Sequence, residues 1–246
     1  MNKRIGIDLG SLYLKIVQLS PSGETTRYLP HQGNPIWVLK EELARLDTEN
    51  ALFGITGANA RLVTDHPIDW IQAEVHAIKQ VFPLVRNIID VGGGSLTLIR
   101  LDEEGSFRDY ATNSLCAAGT GSFLDEQAAR LGIRYEDLDG FSYPENPPSI
   151  ATRCSVFAKS DLIHRQQEGH SREAMWSGLC RGLTHTFMQT LLGGKPLEGL
   201  TVLTGGVSLN LEVLRWLRAS YGAVETYHGA HLAAARGAAE LATSTL

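Results

Sequence analysis

Hydrophobic and polar positions follow the same order in two blocks of the chain, the second lying 82 residues after the first. In each block a short apolar run ends at Asp-x-Gly, a second apolar run follows, and a polar turn leads into a third run. This pattern predicts a β-meander in each block. The aligned pairs are Ile7 with Ile89, Asp8 with Asp90, Gly10 with Gly92, Leu14 with Leu96, Val17 with Ile99, Gly23 with Gly105 and Tyr28 with Tyr110. The repeat predicts two related structural halves.

Helical spacing of apolar residues follows each predicted meander. Ile71, Val75, Ile78 and Phe82 form a stripe that Pro83 ends, which predicts a helix over residues 69–82. The remaining pattern predicts a helix through Leu124, Ala128 and Leu131 that ends at Gly132, a proline-rich loop over 141–150, and a long helix through Trp176 and Phe187 that ends near Gly193. It also predicts a strand over 200–204, a helix through Leu211, Leu214 and Leu217, and an alanine-rich helix over 231–242.

Strands that lead into helices, together with the duplicated meander, predict an α/β fold of two similar lobes. Lobe I is predicted to comprise residues 1–85 and 231–246, and lobe II residues 86–230. The small residues of the final helix predict close packing against a neighbouring element.

Composition excludes several function classes. The net charge of −5 and the lack of a basic stripe argue against a nucleic-acid partner. No apolar run approaches the roughly 20 residues needed to cross a membrane, and the N-terminus starts directly in a strand pattern rather than a signal peptide. Three cysteines are too few for a secreted disulfide scaffold, so we expect a cytoplasmic protein.

Three glycine-containing loops follow predicted strands and are candidate phosphate or nucleoside sites. Backbone N–H groups in such turns can approach phosphate oxygens closely, and an adjacent aspartate can hold Mg²⁺ through water. Taken singly, each loop is more typical of a simple tight turn, but their order together with the repeat favours a nucleotide site. The first glycine loop (residues 8–11) contains Asp8, Gly10 and Ser11; the second (90–95) contains Asp90, Gly92, Gly93, Gly94 and Ser95; the third (204–207) is Thr204, Gly205, Gly206 and Val207.

These loops resemble the two phosphate motifs and the adenosine motif of the superfamily of sugar kinases, heat-shock chaperones and actin. The resemblance covers essentially the whole chain. It implies two ribonuclease-H-like lobes in the actin-like ATPase fold, with a cleft between them for ATP or ADP. It also implies that helices 69–82 and 231–242 connect the lobes, which rotate as ATP is bound and hydrolysed.

Cys116 and Cys154 each precede a predicted helix. The free N–H groups of a helix N-terminus lower a thiol's pKa and favour the thiolate that binds metal. Two cysteines are too few for an ordinary iron–sulfur cluster, but a two-fold dimer would present four. Composition alone leaves buried structural cysteines as the alternative, and Cys180 is given that structural interpretation.

The sequence Cys-Ala-Ala-Gly-Thr-Gly from Cys116, followed by Cys-x-Val-Phe-Ala from Cys154, resembles the ATP-dependent activators of 2-hydroxyacyl-CoA dehydratases and the ATPase subunits of benzoyl-CoA reductases. The resemblance implies that Cys116 and Cys154 of each protomer hold one oxygen-sensitive 4Fe–4S cluster at a homodimer interface. The sequence departs from the family at two places. Gly94 and Ser95 stand where Gln and Asp are usual, and Lys159 and Asp161 after Cys154 replace two glutamates.

This resemblance predicts an anaerobic electron-transfer ATPase. A ferredoxin or flavodoxin would donate the electron, and a dehydratase- or reductase-type iron–sulfur protein would accept it. Asp8 and Asp90 are predicted to handle the Mg²⁺-bound water and the attacking water. Asp8 would hold the Mg²⁺ through water. Glu74 is a candidate for orienting that water and Lys15 for approaching phosphate. The alternatives are a surface glutamate and a solvent-facing strand lysine.

Two other functions remain possible from the sequence. One is a cluster-free kinase or phosphatase of the same fold that acts on a small molecule. The other is a module that assembles in response to nucleotide, for which Cys116→Ala would leave activity intact.

Overall fold

The computed structural model describes residues 3–113 and 120–243. The chain divides into two compact units: unit 1 is Met1–Val85 with Tyr227–Leu246, and unit 2 is Arg86–Thr226. Residues 227–230 therefore belong with unit 1, whereas the sequence analysis placed them in lobe II. The reason is packing within unit 1, where the Tyr227 ring meets the Phe82 ring edge-on at 6.0 Å.

Each unit is built on one β-sheet. The sheet of unit 1 has the order β3-β2-β1-β4, and that of unit 2 has the order β7-β6-β5-β8-β9. The strands are β1 (Arg4–Leu9), β2 (Tyr13–Ser20), β3 (Gly23–Pro30), β4 (Leu52–Thr56), β5 (Val85–Val91), β6 (Leu96–Leu101), β7 (Phe107–Thr112), β8 (Leu200–Thr204) and β9 (Val224–Glu225). Strands β1–β3 and β5–β7 pair antiparallel, which confirms both predicted meanders.

The helices lie between and after these strands. They are α1 (Pro35–Leu43), α2 (Trp70–Val81), α3 (Gly121–Leu131), α4 (Ser155–Gln167), α5 (Arg172–Leu192), α6 (Leu211–Tyr221) and α7 (Ala233–Glu240). The predicted helix ends at Gly132 and Gly193 are confirmed, because both glycines are left-handed C-caps. Within the described residues, none of these helices has the length and apolar character needed to cross a membrane.

Helix α7 lies unusually close to its neighbours in unit 1. A Cβ atom at Gly6 of β1 would overlap the carbonyl oxygen of Ala235, and one at Gly54 of β4 would overlap that of Ala238. A Cβ at Gly237 would overlap the carbonyl oxygen of Ala73 in α2. The predicted close packing of the alanine-rich helix is therefore confirmed.

Helix α2 has its predicted position, but its buried face differs slightly from the predicted stripe. Ala73, Ala77 and Ile78 are buried, whereas Ile71 and Val75 are only half-buried. The small residues of α7 draw the alanine side of α2 inward. This orientation of α2 also buries Glu74, one of the candidate site residues.

The core of unit 2 forms around α5. Trp176 and Phe187 on this helix are fully buried against the sheet strands and α3. Helix α6 is tied to α5 by a buried carboxylate, because Glu212 accepts hydrogen bonds from Ser177 Oγ at 2.5 Å and from Trp216 Nε1 at 2.9 Å. Asn210 caps α6 through the backbone N–H of Glu212, which fixes the segment that follows the third glycine loop.

Candidate functional site

The first glycine loop begins at a buried ion pair. Asp8, at the end of β1, is 2% exposed, and its Oδ2 lies 2.9 Å from Lys15 Nζ. The two residues are direct cross-strand neighbours in the antiparallel β1–β2 register, which places their side chains on the same face of the sheet. The solvent-facing interpretation of Lys15 is therefore wrong: its side chain is 13% exposed and pairs with the predicted catalytic carboxylate.

A glycine from the neighbouring strand backs this carboxylate. Gly57 follows β4, has φ +100°, and a Cβ there would overlap Asp8 Oδ1 and the backbone of Leu9. The parallel pairing of β4 with β1 brings the two strand ends together. Neither β4 nor the role of Gly57 was predicted from the sequence.

The first glycine loop is held by hydrogen bonds on its inner side. The N–H of Gly10 donates to the Tyr13 carbonyl at 3.1 Å. The Gly10 carbonyl accepts from His31 Nε2 at 3.1 Å and from Asn59 Nδ2 at 2.7 Å. Ser11 is exposed on the outside of the turn. Neither His31 nor Asn59 was a sequence candidate.

The second glycine loop is fastened to the start of α3. The N–H groups of Gly121 and Ser122 donate to the carbonyls of Gly92 at 2.8 Å and Gly93 at 2.9 Å. The loop is closed by the N–H of Gly92, which donates to the Ser95 carbonyl at 2.9 Å. Gly94 and Ser95, the positions that depart from the resembled family, are exposed at its tip.

The third glycine loop lies directly against the second aspartate. Gly205 follows β8 with φ +72°, and a Cβ there would stand 2.7 Å from Asp90 Oδ2. Asp90 is 5% exposed, and Thr204 and Val207 are buried beside the loop. Ser208 Oγ donates to the Gly205 carbonyl at 2.7 Å and fixes the turn. The structure thus brings together two of the predicted loops within unit 2.

Glu74 is 1% exposed, so its alternative interpretation as a surface glutamate is wrong. Its carboxylate is close enough to Tyr227 to matter electrostatically: burial raises the pKa of the Tyr227 phenol, and the negative charge of Glu74 raises it further. Its proposed part in orienting water stays a prediction.

The cysteines differ in environment. Cys154 is half-buried and occupies the N-cap position of α4, as the sequence predicts. Cys180 is fully buried and burial raises the pKa of its thiol strongly, which fits a structural role. Cys116 lies outside the described residues. Within the described ranges, no group of three or more His, Cys, Asp or Glu side chains is arranged to bind a metal ion.

Comparison with known proteins assigns the chain to a family. Residues 5–242 match the BadF/BadG/BcrA/BcrD ATPase family. The chain belongs to this family. The structure superimposes on the activator of 2-hydroxyisocaproyl-CoA dehydratase from Clostridium difficile with bound ADPNP, with a TM-score of 0.85, 25% identity and coverage of 98% of this chain and 94% of that one. This BadF/BadG/BcrA/BcrD-family chain is therefore an ATPase with the actin-like fold.

Sequence relatives extend across the same length. YjiL of Escherichia coli K12 is 32% identical over 242 residues, which cover 96% of this chain and 94% of YjiL. The 2-hydroxyisocaproyl-CoA dehydratase activator of Clostridioides difficile is 28% identical over 222 residues, covering 86% of this chain and 83% of the activator.

Proposed function

We propose that this chain is an ATP-dependent activator that passes a low-potential electron to a dehydratase- or reductase-type iron–sulfur protein. Support comes from the named relatives, since several are activators of CoA dehydratases and another is a component of the benzoyl-CoA reductase of Thauera aromatica. A reduced ferredoxin or flavodoxin is the proposed electron donor.

The three glycine loops are the proposed nucleotide ligands. Exposed Ser11 and the tip of the second loop carry backbone N–H groups suited to phosphate oxygens. Asp8 is proposed to hold Mg²⁺ through water and Asp90 to handle the attacking water, because both carboxylates are fixed and almost fully buried. Lys15 pairs with Asp8, and it is proposed to share its charge with an incoming phosphate.

The proposed coupling between nucleotide and cluster rests on the two backbone hydrogen bonds that join the second glycine loop to the start of α3. The segment that contains Cys116 leads directly into α3, and the first two residues of this helix donate to the loop carbonyls of Gly92 and Gly93. A phosphate that shifts this loop would therefore also shift the start of α3. Nucleotide can drive such a change only if ATP and ADP favour different conformations.

Cys116 and Cys154 are the proposed ligands of a 4Fe–4S cluster shared by a homodimer. Cys154 fits this role because its thiol is partly accessible and lies at the N-terminus of a 13-residue helix, where free N–H groups suit an anionic ligand. When bound, the cluster would accept and release one electron at low potential. Buried Cys180 lacks this access.

The surface beside Cys154 supports the proposed homodimer. Val156 and Phe157 are 66% and 67% exposed in the first turn of α4. Adjacent exposed apolar side chains of this size are typical of a surface that another chain covers. A second copy would bury both and bring its own Cys154 near the first.

A cavity in unit 1 does not favour the kinase alternative. It has a volume of about 670 Å³ and lies beside the first glycine loop. Its lining in the described chain is Ser11, His31, Gly33, Asn34, Pro35, Ile36, Trp37, Lys40, Asn59 and Leu62. This set has no carboxylate, and both ring nitrogens of its histidine, His31, are already hydrogen-bonded to the backbone of Gly10 and Gly33. Neither nitrogen is therefore free to take the proton of an accepting hydroxyl, as a kinase acting in this cavity would need.

Electron paramagnetic resonance on protein purified without oxygen and reduced with dithionite tests the proposal. We expect the signal of a reduced 4Fe–4S cluster in the wild type and in Cys180→Ala, and its loss in Cys154→Ser. Serine is a better N-cap than cysteine, so melting of α4 would not explain the loss. A signal that survives in Cys154→Ser, or is missing from the wild type, would refute the cluster assignment.

A further inference from the structure

The Gly10 carbonyl of the first glycine loop accepts hydrogen bonds from two side chains that belong to different segments of the chain. We propose that these side chains, His31 and Asn59, are positioning residues that aim the Ser11 N–H at a nucleotide phosphate. The inference rests on the proposed role of this loop in binding phosphate, and it adds two residues that touch the loop rather than the nucleotide.

Asn59 reaches the loop from the segment after β4. Its backbone N–H donates to the Leu9 carbonyl at 2.8 Å, and its side chain donates to the adjacent Gly10 carbonyl at 2.7 Å. Two consecutive carbonyls are thereby held by one residue. The backbone bond keeps Asn59 in place, so its side-chain bond can be removed separately.

His31 contacts the Gly10 carbonyl from the segment that directly follows β3. The ring is 3% exposed. Its Nδ1 accepts from the N–H of Gly33 at 3.3 Å, and its Nε2 lies 3.1 Å from the Gly10 oxygen. Since Nδ1 accepts, the proton of the neutral ring is on Nε2 and is donated to Gly10.

The turn that presents His31 is conformationally strained. Gln32 has φ +47°, an uncommon value for a residue with a side chain. The turn is closed by the N–H of Asn34, which donates to the His31 carbonyl at 2.7 Å, and the N–H of His31 donates to the Leu12 carbonyl at 3.0 Å. Strain of this kind persists where the surrounding structure holds a functional geometry.

The consequence for Ser11 follows from peptide geometry. In a planar trans peptide the carbonyl and the next N–H point in opposite directions, and the described chain contains no cis peptide bond. With its carbonyl fixed toward His31 and Asn59, the Gly10–Ser11 peptide must direct the Ser11 N–H away from them. Ser11 is an exposed residue, so a phosphate oxygen could reach this N–H and accept the bond.

The test compares dissociation constants for Mg-ATP and for adenosine in three variants. Asn59→Ala removes one donor. His31→Asn removes the other, because the shorter amide reaches only the Nδ1 position, whereas the Gln amide of His31→Gln reaches the Nε2 position and keeps the donor. We expect ATP affinity to fall about 3- to 10-fold in Asn59→Ala and His31→Asn, and to stay near wild type in His31→Gln. Adenosine affinity should not change.

Unchanged ATP affinity in Asn59→Ala and His31→Asn would overturn the inference. An equal loss of adenosine and ATP affinity would overturn it too, because it would assign both residues a general structural role. If the wild type binds Mg-ATP no more tightly than adenosine, the result would instead refute the proposed role of the first glycine loop in binding phosphate.

Discussion

At the scale of single residues, the two predicted catalytic aspartates have the same surroundings. Each lies near the end of the first strand of a meander, is nearly buried, and faces a positive-φ glycine that follows the adjacent strand. The glycines are Gly57 for Asp8 and Gly205 for Asp90. The repeat is not exact, because Lys15 pairs across the strands with Asp8, whereas Thr97 stands opposite Asp90.

We predict that Gly57→Ala and Gly205→Ala each lower the rate of ATP hydrolysis at least about tenfold. The new methyl group would displace the carboxylate, and small misplacements of catalytic groups are costly. Steady-state phosphate release measures the effect. The controls are Gly229→Ala (φ +95°) and Gly222→Ala (φ +80°), which also place a side chain on positive-φ backbone, but where a Cβ would meet nothing within 4 Å. Equal losses in the controls would mean that strain, not displacement of the aspartates, is responsible.

Part of this arrangement around the two aspartates could be predicted from the sequence. The repeat predicted Asp8 and Asp90 as equivalents, and Ile55-Thr56-Gly57 matches Leu203-Thr204-Gly205, a signal that could have identified Gly57. The hydrogen bonds of His31 and Asn59 could not be predicted in this way. They join segments 21 and 49 residues away from Gly10, and only the folded chain brings those segments together.

At the scale of elements, α7 determines how unit 1 packs. Its alanines and glycine let it approach β1, β4 and α2 at backbone contact distance. Larger side chains at Gly6, Gly54 or Gly237 would therefore separate the helix from the sheet. This packing explains why the helix is rich in alanine beyond what helix propensity requires.

We predict that Gly237→Ala destabilises the protein by about 1–3 kcal/mol. In an open helix the same change would stabilise by about 1 kcal/mol, so the expected sign is reversed by the overlap with the Ala73 carbonyl. Urea unfolding followed by circular dichroism measures the difference. As a control on the same helix, Arg236→Ala removes partly exposed ion pairs with Glu24 and Glu240 and should cost less than about 1 kcal/mol. A stabilised Gly237→Ala would contradict the packing account.

Elements with clear periodicity or a continuous apolar run, including the five-residue β8, could be predicted from the sequence, whereas the short strand β4 could not. The meanders, α3, α5 and α7 have clear periodicity and end signals. Strand β4 has five residues, including a glycine, and its pairing with β1 depends on contacts between Leu52 and Arg4, far apart in sequence. The missing β4 is why Gly57 and Asn59 were absent from the predicted site.

At the scale of the whole molecule, the chain is a duplicated fold in which only unit 2 carries the proposed cluster ligands. Both units place the meander and an adjacent strand in the same order, β3-β2-β1-β4 and β7-β6-β5-β8. The hydrogen bonds between the second glycine loop and α3 join the proposed phosphate site of unit 2 to the helix that follows Cys116 in the sequence. The proposed homodimer would complete a cluster that one chain cannot hold.

Native mass spectrometry of protein purified without oxygen shows whether two chains share one cluster. The account predicts a species of two chains carrying a single 4Fe–4S cluster, and a cluster-free species for Cys154→Ser. A cluster-free wild type, or one complete cluster on each isolated chain, would contradict the account and leave an actin-like ATPase without the proposed electron-transfer function.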